Sequence, residues 1–486
     1  MSEAVRSLEP KTLWNHFADL NAVPRPSKKE ERVIAFMEDF GRKLGLEVMV
    51  DKVGNVIMKK PATPGMENRK TVVLQSHLDM VHQKNNATEF DFDKEGIRMY
   101  VDGDWVRAEG TTLGADNGIG VAAIMALLSS NDIEHPPLEA LFTIDEETGM
   151  TGAMGLEGGL LDASIMLNLD TEDDDELTIG CAGGIDVSAS GLYVETDAPA
   201  GMSFMKVTLN GLSGGHSGMD IHKGLGNANK LMNRLLSRAA EEFNISVAAI
   251  DGGGLRNAIP RESVCELGVE STQHDGFLQW LKSFEAELKA EYNTTDPNFK
   301  ISTQAIETPK KVLKADFQMD FIRAIYACPV GIYRMSPDME DLVQTSNNLA
   351  RVLVRDGKYE VQCLTRSSVD TEKMDEANMI KSIFELIGAT VKFGGSYPGW
   401  TPRPGADIVH VMQELYRKKF NDEPHVMACH AGLECGILGT NYPEMEMISF
   451  GPNIRGAHSP DECCQVSSVQ KFWSLLLDTL KAIPTR

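Results

Sequence analysis

The sequence predicts an α/β protein: a mostly parallel sheet with helices on both faces, interrupted by an inserted α+β domain. Three observations predict it. Short apolar runs alternate with helical patterns over residues 1–185, as in strand–helix–strand units. From 186 to 395 the texture changes to longer alternating strands. The first texture returns over 396–486, so residues 1–185 and 396–486 read as one domain and 186–395 as an insertion. A chain of 486 residues is too long for one core of ordinary size, which agrees with that division.

The elements follow in order. Ser27 and Glu30 are placed as a capping box before "KKEERVIAFMEDFGRKLG". Val33, Phe36, Met37, Phe40 and Leu44 recur there at helical spacing, and Gly45 is a natural stop. Strands "LEVMVD", "GNVIMKK" and "KTVVLQS" come next, then a helix "NGIGVAAIMALLSS", then strands "LEALFTI" and "ASIMLNLD". The insertion reads as two similar sets around two helical stretches. One is strand "FMKVTLNGL", helix 224–242 and strand "ISVAAIDGG"; the other is strand "VGIYRMS", helix 338–356 and strand "YEVQCLTRS". The repeated order suggests a duplicated unit. The chain closes with "MEMISFGPNIRGAHSPDE" and a helix, "SVQKFWSLLLDTLKAI".

Composition excludes several classes of function. With 47 Lys and Arg against 71 Asp and Glu, the net charge of −24 disfavours nucleic acid or an anionic membrane as partner. No apolar stretch approaches the roughly 18 residues that span a bilayer. The N-terminus has no basic region followed by an apolar core, so a cytoplasmic protein without a signal peptide is expected. The eight cysteines include no C-x-x-C pair, which leaves reduced thiols rather than a zinc ribbon or redox motif.

Several apolar runs in the outer segments end on metal-ligand residue types. "TVVLQSHLD" ends at His77 and Asp79, "LFTIDEE" at Glu146 and Glu147, and "SIMLNLD" at Asp170. "MISFGPNIRGAHSPDE" puts His458 a short loop beyond its strand, and "TTLGADNGIG" puts Asp116 just before a helix. Singly, each has a bland reading as a surface pair, a solvated loop or an acidic turn. In open α/β sheets, however, ligands bind beyond the carboxyl ends of the strands, so distant segments converge there. Crowding carboxylates at buried strand ends is costly, and a cation relieves the cost. Histidine and carboxylate without thiolate suit Zn²⁺, with Co²⁺ or Mn²⁺ as possible substitutes. The set is large enough for two ions sharing one carboxylate.

The motifs "SHLDMV", "GTTLGADNGIG", "TIDEETG", "LNLDTED", "SGGHSGMDI" and "RGAHSPDE" resemble those of the di-zinc exopeptidases of the aminoacylase-1 and carboxypeptidase G type. "HAGLECGIL" and "SYPGW" resemble the aminoacyl-histidine dipeptidase subgroup in particular. The resemblance covers essentially the whole chain. It implies that His77 and Asp170 bind one zinc, that Glu147 and His458 bind the other, and that Asp116 bridges them. It implies that Asp79 holds the second ring nitrogen of His77, that the Asp116–Asn117 bond is cis, and that Glu146 is the general base for a hydroxide bridging the metals. It also makes His216 the donor to the oxyanion, carried in by the insertion acting as a lid.

Three further residues are candidates for holding substrate. An exopeptidase must grip a free terminal charge, and Arg366 in "CLTRSSVD" is a natural carboxylate clamp, against the reading of a surface arginine. Asn257 is similar to an asparagine that touches substrate in related lids. Glu434 in "HAGLECG" is a receptor for the substrate ammonium or a structural loop acid. The implied protein is a homodimeric, cytoplasmic metallo-dipeptidase acting on unblocked dipeptides, Xaa-His included. The alternatives are an N-acyl amino acid hydrolase or carboxypeptidase with the same metals, a non-enzymatic binding relative, and a single structural metal.

Overall fold

The computed structural model describes residues 2–486, which fall into two compact units. The first comprises 2–180, 400–428 and 433–486, and the second 181–399 and 429–432. The four residues 429–432 thus return to the second unit from within the terminal segment, a detail that linear texture does not display.

The first unit is built on an eight-stranded sheet. At its centre Val72–His77 runs parallel to Leu138–Thr143 on one side and to Ile165–Asn168 on the other. Ile165–Asn168 in turn runs parallel to Glu446–Ser449. Val56–Lys60 and Glu47–Val50 extend one flank in antiparallel register. The three central strands are buried along their whole length, which is why they read as continuous apolar runs rather than alternating ones. Helix Ala115–Ser129 is buried almost all round, as its apolar sequence after Asn117 requires. It packs between helix Lys11–Asn21 and strand Val72–His77. A small antiparallel sheet joins Met99–Asp102, Trp105–Ala108, Cys463–Gln465 and Ile454–Arg455, and the last two strands flank the loop that carries His458.

The second unit is a nine-stranded sheet with helices Ala228–Glu242, His274–Tyr292, Ala315–Ala327 and Asp370–Glu385 packed over one continuous apolar core. Four helices replace the two the sequence reading expects. The expected helix over 338–356 is instead the strand Val343–Arg355, paired with Lys358–Ser367 across the two-residue turn Asp356–Gly357. Both turn residues have positive φ, 52° and 70°. An Asp-Gly turn between apolar runs is a strong hairpin signal, and it outweighs the helix that the repeated order of the insertion predicts. Among the described residues, no helix is long and apolar enough to cross a membrane.

The capping box expected at Ser27 and Glu30 does not form. Helix Glu31–Lys43 starts without a side-chain cap. Ser27 Oγ donates to Asp79 Oδ2 at 2.8 Å, and Glu30 Oε1 accepts from the backbone of Lys28 and Asp145. Both side chains serve the strand ends of the site rather than the helix.

Candidate metal centre and active site

The central strands of the first unit deliver their last residues to one place. His77 ends its strand and is 1% exposed. Two residues beyond Thr143, Asp145 takes a left-handed conformation with φ 52°, and the chain turns into the short helix Glu146–Gly149. Asp170 follows Ile165–Asn168 by two residues, Asp116 is the second residue of helix Ala115–Ser129, and His458 sits in its loop with φ 63°.

These residues converge. Asp116 Oδ1 lies 3.2 Å from His77 Nε2, while Asp116 Oδ2 lies 3.3 Å from His458 Nε2. Asp170 Oδ1 is 3.6 Å from His77 Nε2, and Glu147 Oε2 is 3.0 Å from His458 Nε2. Two groups of potential ligands result, His77–Asp116–Asp170 and Asp116–Glu147–His458, each with its ligand atoms within 4.8 Å of one another. They share Asp116. A third grouping, His77–Glu146–Glu147, places Glu146 beside both. The Asp116–Asn117 peptide is cis, and the Asn117 amide donates to Asp170 Oδ1 and to the Leu169 carbonyl.

The charge state of the cluster tests whether a cation fits. Burial disfavours a charged His77, yet Asp170, Asp116 and Asp79 outweigh it and raise its pKa well above the usual histidine range. Hydrogen bonds to Asp116 and Glu147, against burial, push His458 up to about 11. Burial pushes the Glu146 and Asp170 carboxyls well above the usual range, with neighbouring carboxylates adding to it and His77 opposing. Burial also works against the charge of Asp116, but the two histidines prevail and hold its pKa low. The site draws in protons because it has a surplus of negative charge out of water. Histidine nitrogens and carboxylate oxygens in two groups around one shared carboxylate are a donor set suited to two divalent cations.

Asp79 carries more of this geometry than its expected role. His77 Nδ1 lies 3.1 Å from the Asp79 backbone oxygen and 3.3 Å from its Oδ1, so both fix the ring. The same carboxylate accepts the backbone N–H groups of Glu146 at 3.0 Å and Glu147 at 3.3 Å. One side chain thus orients a ligand and the corner bearing the two glutamates. Glu30 supports that corner through the Asp145 N–H at 3.1 Å. Glu434, expected as an ammonium receptor, is 1% exposed, and its Oε2 accepts from Gln75 Nε2 at 2.7 Å and Thr143 Oγ1 at 2.6 Å. Burial raises its pKa to about 7. Its Oε1 has no hydrogen-bond partner among the described residues.

The other expected residues lie in the second unit. His216 is in the two-residue strand Gly215–His216, paired with Ala258–Ile259, and Ser217 N donates to the Asn257 carbonyl at 2.8 Å. This pairing sets Asn257, which is exposed, beside the His216 turn. His216 Nδ1 accepts from Gly218 N at 3.2 Å and Met219 N at 3.0 Å. In the neutral ring the proton therefore sits on Nε2. Burial, then the positive charge of Arg366, lowers the His216 pKa and keeps the ring neutral. Arg366 is 5% exposed, with Nη1 donating to Tyr397 Oη at 2.7 Å and Nε without a partner among the described residues. The alternative reading, a surface arginine, is excluded by that burial. Sequence reasoning also passed over His430, whose Nε2 lies 2.7 Å from Ser346 Oγ and whose pKa is lowered to about 3 by burial and by Arg366.

Comparison with known proteins identifies the family. Residues 73–482 match the model of peptidase family M20/M25/M40. The chain is 44% identical, over all of both chains, to a cytosol non-specific dipeptidase of Escherichia coli strain K12. It is similar to the crystal structure of an aminoacylhistidine dipeptidase from Vibrio alginolyticus, with TM-score 0.94 and 43% identity, covering 99% of this chain and 98% of that one. An aminopeptidase from Bacillus cereus ATCC 10987 shares the fold at 15% identity, with TM-score 0.58 over 98% and 99% of the two chains.

Proposed function

The chain belongs to peptidase family M20/M25/M40, and on that premise we propose that it is a two-metal dipeptidase cleaving unblocked dipeptides, Xaa-His among them. Peptidases of this family are metal-dependent, and the two relatives of highest identity described above are dipeptidases. The observation that carries the two-metal reading is the shared carboxylate: Asp116 turns one oxygen to His77 and the other to His458. His77 and Asp170 would hold one zinc ion and Glu147 and His458 the other, with Co²⁺ or Mn²⁺ as substitutes.

Bound there, such ions lower the proton affinity of water and polarise a carbonyl. The remaining work belongs to the side chains. Glu146, outside the two ligand groups, accepts the proton of the attacking water and delivers it to the leaving amine nitrogen. Its raised proton affinity, set by burial, suits a group that must both take and give up a proton. Asp79 keeps Glu146 and Glu147 in place through their N–H groups. His216, neutral and carrying its proton on Nε2, is suited to donate to the oxyanion that forms at the substrate carbonyl. Arg366 is suited to the substrate carboxylate, with its buried Nε still to be satisfied. In this reading Asn257 touches substrate and the buried Glu434 faces the ammonium through Oε1. The second unit serves as the lid.

Two further parts of the proposal have their own support. A homodimer is supported by strand Gly331–Met335, which exposes Ile332 (43%), Tyr333 (42%) and Met335 (42%). A cytoplasmic setting is supported by the cytosolic relative.

The test is a panel of free and N-acetylated dipeptides offered to chelator-treated protein before and after adding Zn²⁺. The expected result is no turnover without metal, recovery with it, and loss of activity on acetylation. Faster hydrolysis of the acetylated series would instead make the enzyme an N-acyl amino acid hydrolase or carboxypeptidase.

A further inference from the structure

Glu462 is 3% exposed and is a member of neither candidate ligand group. Its carboxylate accepts four consecutive backbone N–H groups. Oε2 takes Leu113 N at 2.7 Å and Gly114 N at 3.0 Å, and Oε1 takes Ala115 N at 2.7 Å and Asp116 N at 3.2 Å. These belong to the segment that enters helix Ala115–Ser129, where N–H groups have no partner inside the helix. A carboxylate satisfies them and meets the positive end of the helix. Gly114, with φ 71°, is the corner of this segment.

Arg25 meets the same corner from the other side. It is 1% exposed. Nη2 donates to the Gly114 carbonyl at 2.6 Å and to Asn21 Oδ1 at 2.9 Å. Nη1 donates to the carbonyls of Leu78 at 3.0 Å and Asp79 at 3.1 Å. The guanidinium therefore ties the segment after His77 to the segment before Asp116. Space is reserved for it: a Cβ on Gly114 or on Gly118 would come within 2.6 Å of Arg25 Nη2.

We propose that Glu462 and Arg25 are positioning residues of the metal centre, fixing the two backbone segments from which His77 and Asp116 converge. The inference rests on the two-metal reading above. Glu462 is neither ligand nor base, because both its oxygens are taken by backbone donors. Its influence runs through Asp116. Asp116 is shared by both ligand groups, so loosening its backbone weakens both ion sites together. Loss of His458, by contrast, weakens one.

The experiment titrates metal-free full-length protein with Zn²⁺ against a chelating indicator, for the wild type, Glu462→Gln, Arg25→Lys and His458→Ala. Glu462→Gln keeps the shape but sets an amide N–H₂ against two of the four N–H donors. Arg25→Lys keeps the charge but loses the fork. The expected result is a loss of affinity of about tenfold to hundredfold for both ions in Glu462→Gln and Arg25→Lys, the range seen when groups behind metal ligands are removed. His458→Ala is expected to lose one ion and keep the other. In the two positioning variants kcat falls at limiting Zn²⁺ with KM little changed, and excess Zn²⁺ restores part of it. Wild-type affinity for both ions in a folded Glu462→Gln, or in a folded Arg25→Lys should the first variant not fold, overturns the inference. A wild-type protein that takes up fewer than two ions or ignores dipeptides overturns the underlying reading instead.

Discussion

Asp116 and His458 meet through one carboxylate oxygen, Oδ2, at 3.3 Å, while the other oxygen of Asp116 is committed to His77 at 3.2 Å. A single aspartate thus belongs to two ligand sets. Replacing Asp116 by Asn leaves one carbonyl oxygen and sets an N–H₂ against one of the histidines. The expected result is a loss of turnover of at least about a hundredfold, with both ions bound more weakly. Bound metal counted by elemental analysis after gel filtration checks it. Retention of both ions would contradict the sharing.

Glu146→Gln keeps the size of the side chain and removes its capacity to take a proton. General base catalysis is worth about 10²–10⁴-fold, and kcat is expected to fall by that much with metal content unchanged. Steady-state kinetics beside metal analysis separates the two effects. Near-normal kcat would remove Glu146 from the proton path.

His216 receives two backbone N–H groups on Nδ1, which leaves Nε2 as the donor. Glutamine can accept through its carbonyl but offers a donor in a different place. His216→Gln is therefore expected to lower kcat by about 10²–10³-fold, with KM changed far less. A fall confined to KM would make His216 a binding residue.

Glu376, in helix Asp370–Glu385, is fully buried, and neither of its oxygens has a partner among the described residues. Burial, then the nearby Cys363 and Glu372, raise its pKa to about 8 from 4.5. Between those values the folded state binds more protons than the unfolded one, so stability falls as pH rises through the window. Glu376→Gln removes that loss. It is expected to stabilise the second unit by up to about 4 kcal/mol near pH 8 and to change little near pH 4.5. Urea unfolding at the two pH values measures it, and equal effects at both would contradict the assignment.

How much of this was legible in the sequence depends on where the information sits. His77, Glu147 and Asp170 stand at the ends of apolar runs, so their convergence follows from the rule that sheets gather strand ends. Asp116 and His458 came from motifs in loops, and the resemblance tied them to the same place. Arg25, Ser27, Glu30 and Glu462 act through backbone groups or through Asp79, and no residue pattern marks a side chain whose partner is a distant N–H or carbonyl. Ser27 and Glu30 even matched a local helix-capping pattern, which lost to tertiary partners. The strand Val343–Arg355 falls where the repeated order of the insertion predicts a helix, although Asp356-Gly357 beside it signals a hairpin. Burial is equally silent in sequence: Arg366 sits in a polar stretch and is nonetheless enclosed, and the charge of Glu434 gives no sign that it is buried.

The central claim is two ions around one shared carboxylate, and the most direct measurement is a stoichiometric titration of the metal-free protein with Zn²⁺, followed by bound metal and dipeptide turnover together. The account predicts uptake of two ions per chain, with turnover reaching its plateau only as the second binds. Full turnover at one ion per chain, with no further binding beyond it, would contradict the account.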